Sequence, residues 1–206
     1  MIELINIKKS FNEKNILTDF CFFAEKGEMV AISGSSGKGK TTLLNIMGLL
    51  VRQDSGDLII NGITNPTINS KTGVELLRNK IGYLFQDFAL VENMTVNDNL
   101  KISLKYSSRI NKSKSIAKAL EKVGLNNFGR KKIYSLSGGE QQRVSIARLM
   151  LKNCEIVLAD EPTGSLDREN ASRVMGLLTE MKKDKLVIIV THDDYVRSLC
   201  DRIVYL

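Results

Sequence analysis

Between two apolar runs, Met29 to Ile32 and Leu43 to Leu50, lies the stretch Gly34-Ser35-Ser36-Gly37-Lys38-Gly39-Lys40-Thr41-Thr42. Its spacing is glycine, four residues, then Gly-Lys-Ser/Thr, the phosphate-loop pattern, which requires a strand before it and a helix after it. The flanking runs predict both. Glycines let the backbone curl so that successive N–H groups converge on an anion. The helix after the loop adds unpaired N–H groups and the positive end of its dipole. Lys40 can then reach terminal phosphates, and the Thr41 hydroxyl can ligate a magnesium ion.

The rest of the chain reads as an α/β frame. Residues 1–30 predict short strands around Ile2, Leu4, Ile5 and Ile7, then Ile16-Leu17 and Phe20 to Phe23, with a turn at Lys26-Gly27-Glu28. Leu58 to Ile60 predicts a strand closed by the hairpin dipeptide Asn61-Gly62. Residues 63–73 look irregular, Val74 to Asn79 helical, and Ile81 to Phe85 a strand. From 88 to about 133 strand signals thin out. Leu100 to Tyr106 and Ser113 to Val123 predict helices around a polar basic stretch, and 127–134 a loop, which suggests a helical subdomain inserted into the frame. Ile156 to Ala159 and Leu186 to Val190 are continuous apolar runs, as expected of parallel strands buried on both faces. Helices are expected around Val144 to Leu151, over Ala171 to Met181 and over Asp194 to Leu199, with a last strand at Arg202 to Leu206. Strands alternating with helices argue for a parallel sheet covered on both sides.

Composition excludes several classes. The longest apolar runs are far below the ~20 residues that span a bilayer. The N-terminus, Met1 to Ile7, reads as a strand and not as a signal peptide. Cys21, Cys154 and Cys200 are far apart and read as reduced thiols. With a single histidine in the chain, no zinc site is expected. The net charge of +7 suggests an anionic partner. The basic residues read as scattered, with short clusters at Arg130-Lys131-Lys132 and Lys182-Lys183, and no aromatics are interleaved for nucleic-acid stacking.

Two further stretches carry chemistry. Asp160 and Glu161 stand at the carboxyl end of an apolar strand, where α/β sheets place ligands. One can hold magnesium through water while the other polarises an attacking water. Alone they would read as a surface pair before Pro162; beside a phosphate loop the functional reading is preferred. Ser137 and Glu140, in Leu136-Ser137-Gly138-Gly139-Glu140-Gln141-Gln142-Arg143, have capping-box spacing. This could be a second anion site or a well-capped helix and nothing more. Phe11, on position alone, reads as a half-buried strand residue.

Leu136 to Gln142 resembles the signature motif of ATP-binding cassette (ABC) ATPases. Gly34 to Thr42 then matches Walker A and Ile156 to Glu161 matches Walker B. Gln86 matches the Q-loop glutamine, Ser165-Leu166-Asp167 the D-loop, and His192 the H-loop. Phe11 matches the A-loop aromatic that stacks on adenine, which reverses the reading from position. The resemblance covers essentially the whole chain. Ile81 to Gln86 and Gly138 to Arg143 are similar to the lipoprotein-release, macrolide-efflux and bacteriocin-export branch. It implies a single nucleotide-binding domain over 1–206, with an antiparallel β lobe and the helical insert.

The resemblance also implies a mechanism. Two subunits face head to tail, and each ATP lies between the phosphate loop of one and the Ser137, Gly138, Gly139 and Glu140 region of the other. Thr41, Gln86 and Asp160 attend magnesium, Glu161 is the general base, and His192 contacts the γ-phosphate. Lys40 and the loop amides neutralise phosphate charge, and Asp167 belongs to the D-loop. The implied partners are an integral membrane permease and a second copy of this chain, with no nucleic acid, at the cytoplasmic face of the membrane. Alternatives are a regulatory ABC ATPase controlling a membrane complex, or a soluble DNA- or ribosome-acting one. Coiled-coil insertions of the DNA-repair type do not fit in this length, and only one cassette is present. Lys38 departs from the small residue usual in the family and is expected to point to solvent.

Overall fold

Ile2, Leu4 and Ile7 are buried, with half-buried Glu3 and exposed Ile5 and Asn6 between them. They belong to a long antiparallel hairpin, β1 (Ile2–Phe11) with β2 (Lys14–Ala24). In this computed structural model all residues are described except 13, 36, 107–110 and 165. Ser36, Ser165 and part of the polar basic stretch therefore lie outside the described residues. The short strands expected at the start are in fact these two long ones. Asn6 sits in the left-handed region at a register shift, and this bulge turns Ile7 inward and leaves Ile5 exposed, which breaks the alternation.

β3 (Met29–Ser33) is buried at every position and leads through the phosphate loop into α1 (Lys40–Met47). The helix begins three residues before the expected Leu43, because Lys40 to Thr42 face a cavity rather than the core and carry no apolar signal. β4 (Ser55–Ile60) and β5 (Ile63–Thr64) flank Asn61 and Gly62, both at positive φ, as a two-residue hairpin demands. α2 (Lys71–Asn79) also starts early. Ser70 caps it by accepting from the Gly73 amide at 2.9 Å.

After β6 (Ile81–Leu84), the described residues up to 135 contain no strand, only one isolated bridge. α3 (Val96–Ser103) is capped by Thr95 and starts four residues before the expected Leu100. α4 (Lys112–Lys122) follows, and single 3₁₀ turns occupy 128–130 and 133–135 where a loop was expected. α5 (Gly138–Leu151), β7 (Ile156–Asp160), α6 (Arg168–Lys182), β8 (Leu186–Val190), α7 (Asp194–Ser198) and β9 (Arg202–Tyr205) complete the chain.

The strands form two sheets, β2-β1-β4-β5, antiparallel throughout, and β6-β7-β8-β3-β9, parallel throughout. Side chains of α1 (Leu43, Leu44, Ile46, Met47) join the antiparallel sheet to one face of the parallel sheet through Ile32, Leu158 and Ile188. The opposite face, through Val157, Ala159 and Ile189, packs on α5, α6 and the α3–α4 region. The fold class is thus α/β, a parallel sheet flanked by helices with an antiparallel lobe.

One buried polar residue organises the α3 region. The Asn99 side chain accepts from the Val91 amide at 2.8 Å and donates to the carbonyls of Val91 and Thr95, both at 3.1 Å. Asn99→Leu fills the same volume but strands those backbone groups, so it should lower unfolding free energy by about 2–4 kcal/mol, measured by urea denaturation.

Candidate functional site

Because β3, β6, β7 and β8 run parallel, their carboxyl ends lie along one edge, and the loops that leave it carry the predicted residues. A cavity of about 670 Å³ there is lined by Gly34, Ser35, Gly37, Gly39, Lys40, Thr41, Thr42, Gln86, Asp160, Glu161 and His192. Predicted residues as far apart in the chain as Gly34 and His192 share one space. Ile16 and Val190 also line it and were not anticipated. Gly39 enters α1 at φ 93°, and a Cβ there would collide with the Ile16 side chain. Only glycine serves that position, on both conformation and space.

Within the cavity the polar groups hold one another. The Lys40 ammonium donates to the carbonyls of Gly34 (2.8 Å) and Ser35 (3.1 Å), tying the loop around itself. The Thr41 hydroxyl donates to Asp160 Oδ1 at 3.5 Å. Asp160 is only 6% exposed. Burial pushes its carboxyl above the usual aspartate range; the Thr41 hydrogen bond opposes this and the neighbouring Glu161 charge adds to it. Burial, reinforced by the Asp160 charge, likewise pushes the Tyr83 phenol up, and its hydroxyl donates to Asn45 Oδ1 at 2.7 Å.

Glu161 adopts φ 43°, a left-handed conformation rare outside glycine, and its amide donates to the Val190 carbonyl at 2.9 Å. That turn aims the carboxylate at the end of β8. Oε1 meets His192 Nδ1 at 2.7 Å, and Oε2 accepts from the Thr191 hydroxyl at 3.1 Å. Thr191 falls in the H-loop stretch Thr191-His192-Asp193, but sequence reasoning assigns it no role of its own. The His192 ring is otherwise open to solvent.

The remaining predicted residues lie elsewhere. Ser137 to Glu140 do not line the cavity. Ser137 caps α5, accepting from the Glu140 amide at 3.3 Å while Glu140 Oε2 accepts from the Ser137 amide at 2.8 Å. Ser137 and Gly138 are exposed, and Gly138 faces open space. Asp167 caps α6 through the Asn170 amide at 2.9 Å, and this bond and the Asn170 side chain hold its carboxyl below the usual range. Asn170 also receives Arg143 of α5, a clip between the two helices that the sequence did not reveal. Phe11 is 47% exposed with the Lys9 ammonium 5.0 Å over its ring, outside the cavity lining. Lys38 is exposed and does not line the cavity.

The ABC transporter family pattern matches residues 17–164. The chain belongs to the ABC transporter ATP-binding family. This ABC ATPase is 36% identical to the ABC transporter ATP-binding protein YxdL of Bacillus subtilis, over all of this chain and 83% of that one. It is 38% identical to the macrolide export ATP-binding/permease protein MacB of Pasteurella multocida, over 99% of this chain but 32% of MacB. Among solved structures, the dimeric post-hydrolysis state of the ATP-binding cassette MJ0796 bound to ADP and Pi superposes with TM-score 0.91 at 35% identity, covering 100% of this chain and 94% of that one. The ABC ATPase cavity thus belongs to a family that binds and hydrolyses ATP.

The raised Asp160 carboxyl means that the folded ABC ATPase holds this proton more tightly than the unfolded chain. Its ionisation therefore costs stability as pH rises above the unfolded value of 3.8 through the folded one. Asp160→Asn should raise the melting temperature of the nucleotide-free protein at pH 7 by ~2–4 °C, the worth of 1 kcal/mol in a chain of this size. The gain should shrink toward pH 4, as monitored by circular dichroism.

Proposed function

We propose that this ABC ATPase powers export of a peptide, lipid or drug-like substrate through a separate membrane permease, by ATP-driven head-to-tail dimerisation. The observation that carries the reading is the division of the predicted residues. The phosphate loop, Gln86, Asp160, Glu161 and His192 share one cavity, while Ser137 to Glu140 present an exposed helix start outside it. A second copy would supply that helix start to the phosphates. The dimeric MJ0796 structures support such an assembly, and the similarity to MacB supports export.

In this mechanism Lys40 exchanges the Gly34 and Ser35 carbonyls for phosphate oxygens, and the amides of the loop and of the first turn of α1 add their donors. Thr41 and Asp160 present two hard oxygen donors 3.5 Å apart beside Gln86, a donor set that fits magnesium. When bound, the ion would neutralise phosphate charge. Glu161 accepts the proton of the attacking water, and Thr191 and His192 hold its carboxylate in place. His192, open on its other edge, contacts the terminal phosphate. Phosphoryl transfer needs chiefly such positioning and charge neutralisation. Phe11 offers an exposed ring to adenine, and Asp167 faces the partner subunit.

Residues 88–133 act here as the inserted helical subdomain. Between it and the parallel sheet lies a cleft of about 550 Å³, lined by Phe85, Ala89, Ile102, Tyr106 and Arg148. It begins one residue from Gln86, so a permease segment seated there would reach the nucleotide through the Gln86 backbone. No helix among the described residues is long and apolar enough to cross a membrane, and the pathway itself falls to the permease.

Glu161→Gln should keep ATP binding, lower turnover at least ~100-fold, and trap a dimer on size-exclusion chromatography with ATP. Normal turnover would remove Glu161 as the base. Lys40→Ala should abolish detectable hydrolysis in the same assay. Co-purification with an integral membrane protein that stimulates hydrolysis is the expected test of the transporter reading. Stimulation by DNA or ribosomes instead would sink it.

A further inference from the structure

The lysines and arginines are not evenly shared along the chain, contrary to the scatter that their short clusters suggest. Residues 99–139 hold ten of them against one carboxylate, Glu121. This local surplus of nine exceeds the net charge of +7 for the whole chain, so the remainder is slightly acidic. Arg109 lies outside the described residues, and the other nine lie within them.

The fold gathers several of them on one face. Ile116, Ala119, Leu120 and Val123 turn inward. Lys114 and Lys118, one helical turn apart, are left on the outward side of α4. Together with Lys101 of α3 and Asn97, Asn126 and Asn127, they line a cavity of about 680 Å³ that opens beside the turn at Gly129. Exposed Arg130 and Lys131 come directly after that turn. Asp98 pairs with Lys101 at 2.9 Å, and Glu121 shares the cavity wall. Lys112, Lys114, Lys118 and Arg130 make no ion pair among the described residues.

Cations massed on one face repel one another, and a polyanionic surface relieves that repulsion. Long lysine stems suit a bilayer interface, where they reach headgroup phosphates from a distance. No aromatic side chain lines the cavity to stack a base, which disfavours single-stranded nucleic acid. An ATPase subunit seated on a permease also lies within reach of the membrane; to that extent the inference rests on the proposed function. We propose that the Lys114–Lys118 face docks on the anionic phospholipid headgroups of the membrane that holds the permease. Such attraction acts within a Debye length, ~10 Å at 0.1 M salt.

Flotation of the purified chain with vesicles tests this without any permease. Binding is expected to vesicles of phosphatidylcholine with phosphatidylglycerol, but not to phosphatidylcholine alone, and should fall as salt rises. The double variant K114E/K118E should float about tenfold less, with ATP hydrolysis unchanged as a sign that its fold is intact. Equal binding to neutral vesicles, no binding by the wild type, or undiminished binding by the variant would each overturn the lipid face. So would tighter binding to a duplex oligonucleotide than to the anionic vesicles. Any of these results alongside intact ATP hydrolysis removes the lipid face alone, whereas loss of the Glu161 and Lys40 effects removes the functional reading.

Discussion

A parallel strand buried on both faces has nowhere to put a polar side chain except at its end. β3, β7 and β8 are buried at every position, so the polar residues of these segments collect where the strands stop. Parallel pairing then places all those stops on one edge. The cavity is a consequence of this constraint: Gly34 leaves β3, Gln86 lies just past β6, Asp160 ends β7 and His192 comes just after β8. The antiparallel lobe closes one side, with Ile16 of β2 packed where a side chain on Gly39 would stand. Backbone curl, helix start and lobe are therefore mutually fixed.

α5 ties the site to its surroundings. Its exposed first turn carries Ser137 and Gly138. Farther along, buried Gln142 donates to the Pro162 carbonyl at 2.7 Å, just after Glu161. Ser145 and Arg148 then donate to the carbonyl of Phe88, at 2.9 and 2.8 Å, and Arg148 also to that of Ala89. Phe88 and Ala89 both lie at positive φ, two and three residues after Gln86, so this conformation persists because the helix over-determines it. Burial weakens the hold of Arg148 on its proton, and among the described residues only carbonyls meet it. One helix thus touches the segment after Glu161, the segment after Gln86 and the cleft proposed for the permease.

Local features of this fold were legible from residues alone. The strand and helix that flank Gly34 to Thr42, the Ser137–Glu140 capping box and the Asn61-Gly62 turn each depend on a few residues, and each is formed as read. Helix starts at Lys71 and Val96 were misplaced because Ser70 and Thr95 cap first turns that bury few apolar residues, so no apolar stripe announces them. The β1–β2 hairpin was broken into pieces because its register shifts three times, between Leu4 and Ile7, Ile7 and Lys9, and Lys9 and Ser10. The contacts among Glu161, Thr191 and His192 span 30 and 31 residues, and those from Arg148 to Phe88 and Ala89 span 60 and 59. No periodicity encodes them; the family resemblance gave roles to Glu161 and His192 but none to Thr191, which lies in the same H-loop stretch. Charge was misjudged for a different reason, since reading short clusters one by one hides a surplus that appears only when a whole segment is counted.

On the proposed reading, ligand binding is an exchange of partners. Lys40 holds its own loop carbonyls, Thr41 leans on Asp160, and both Glu161 oxygens are engaged. Nucleotide must displace some of these bonds, so its net gain is smaller than the number of new contacts suggests. Two groups are not compensated in the same way. Asp160 is desolvated with a weak hydroxyl contact, so a cation beside it recovers a cost the fold already bears. His192, with three quarters of its side chain exposed, is held on one edge only. The site is thus most strained where a cation would bind and most open where a terminal phosphate would arrive. A cation would relieve the first, and a terminal phosphate would fill the second.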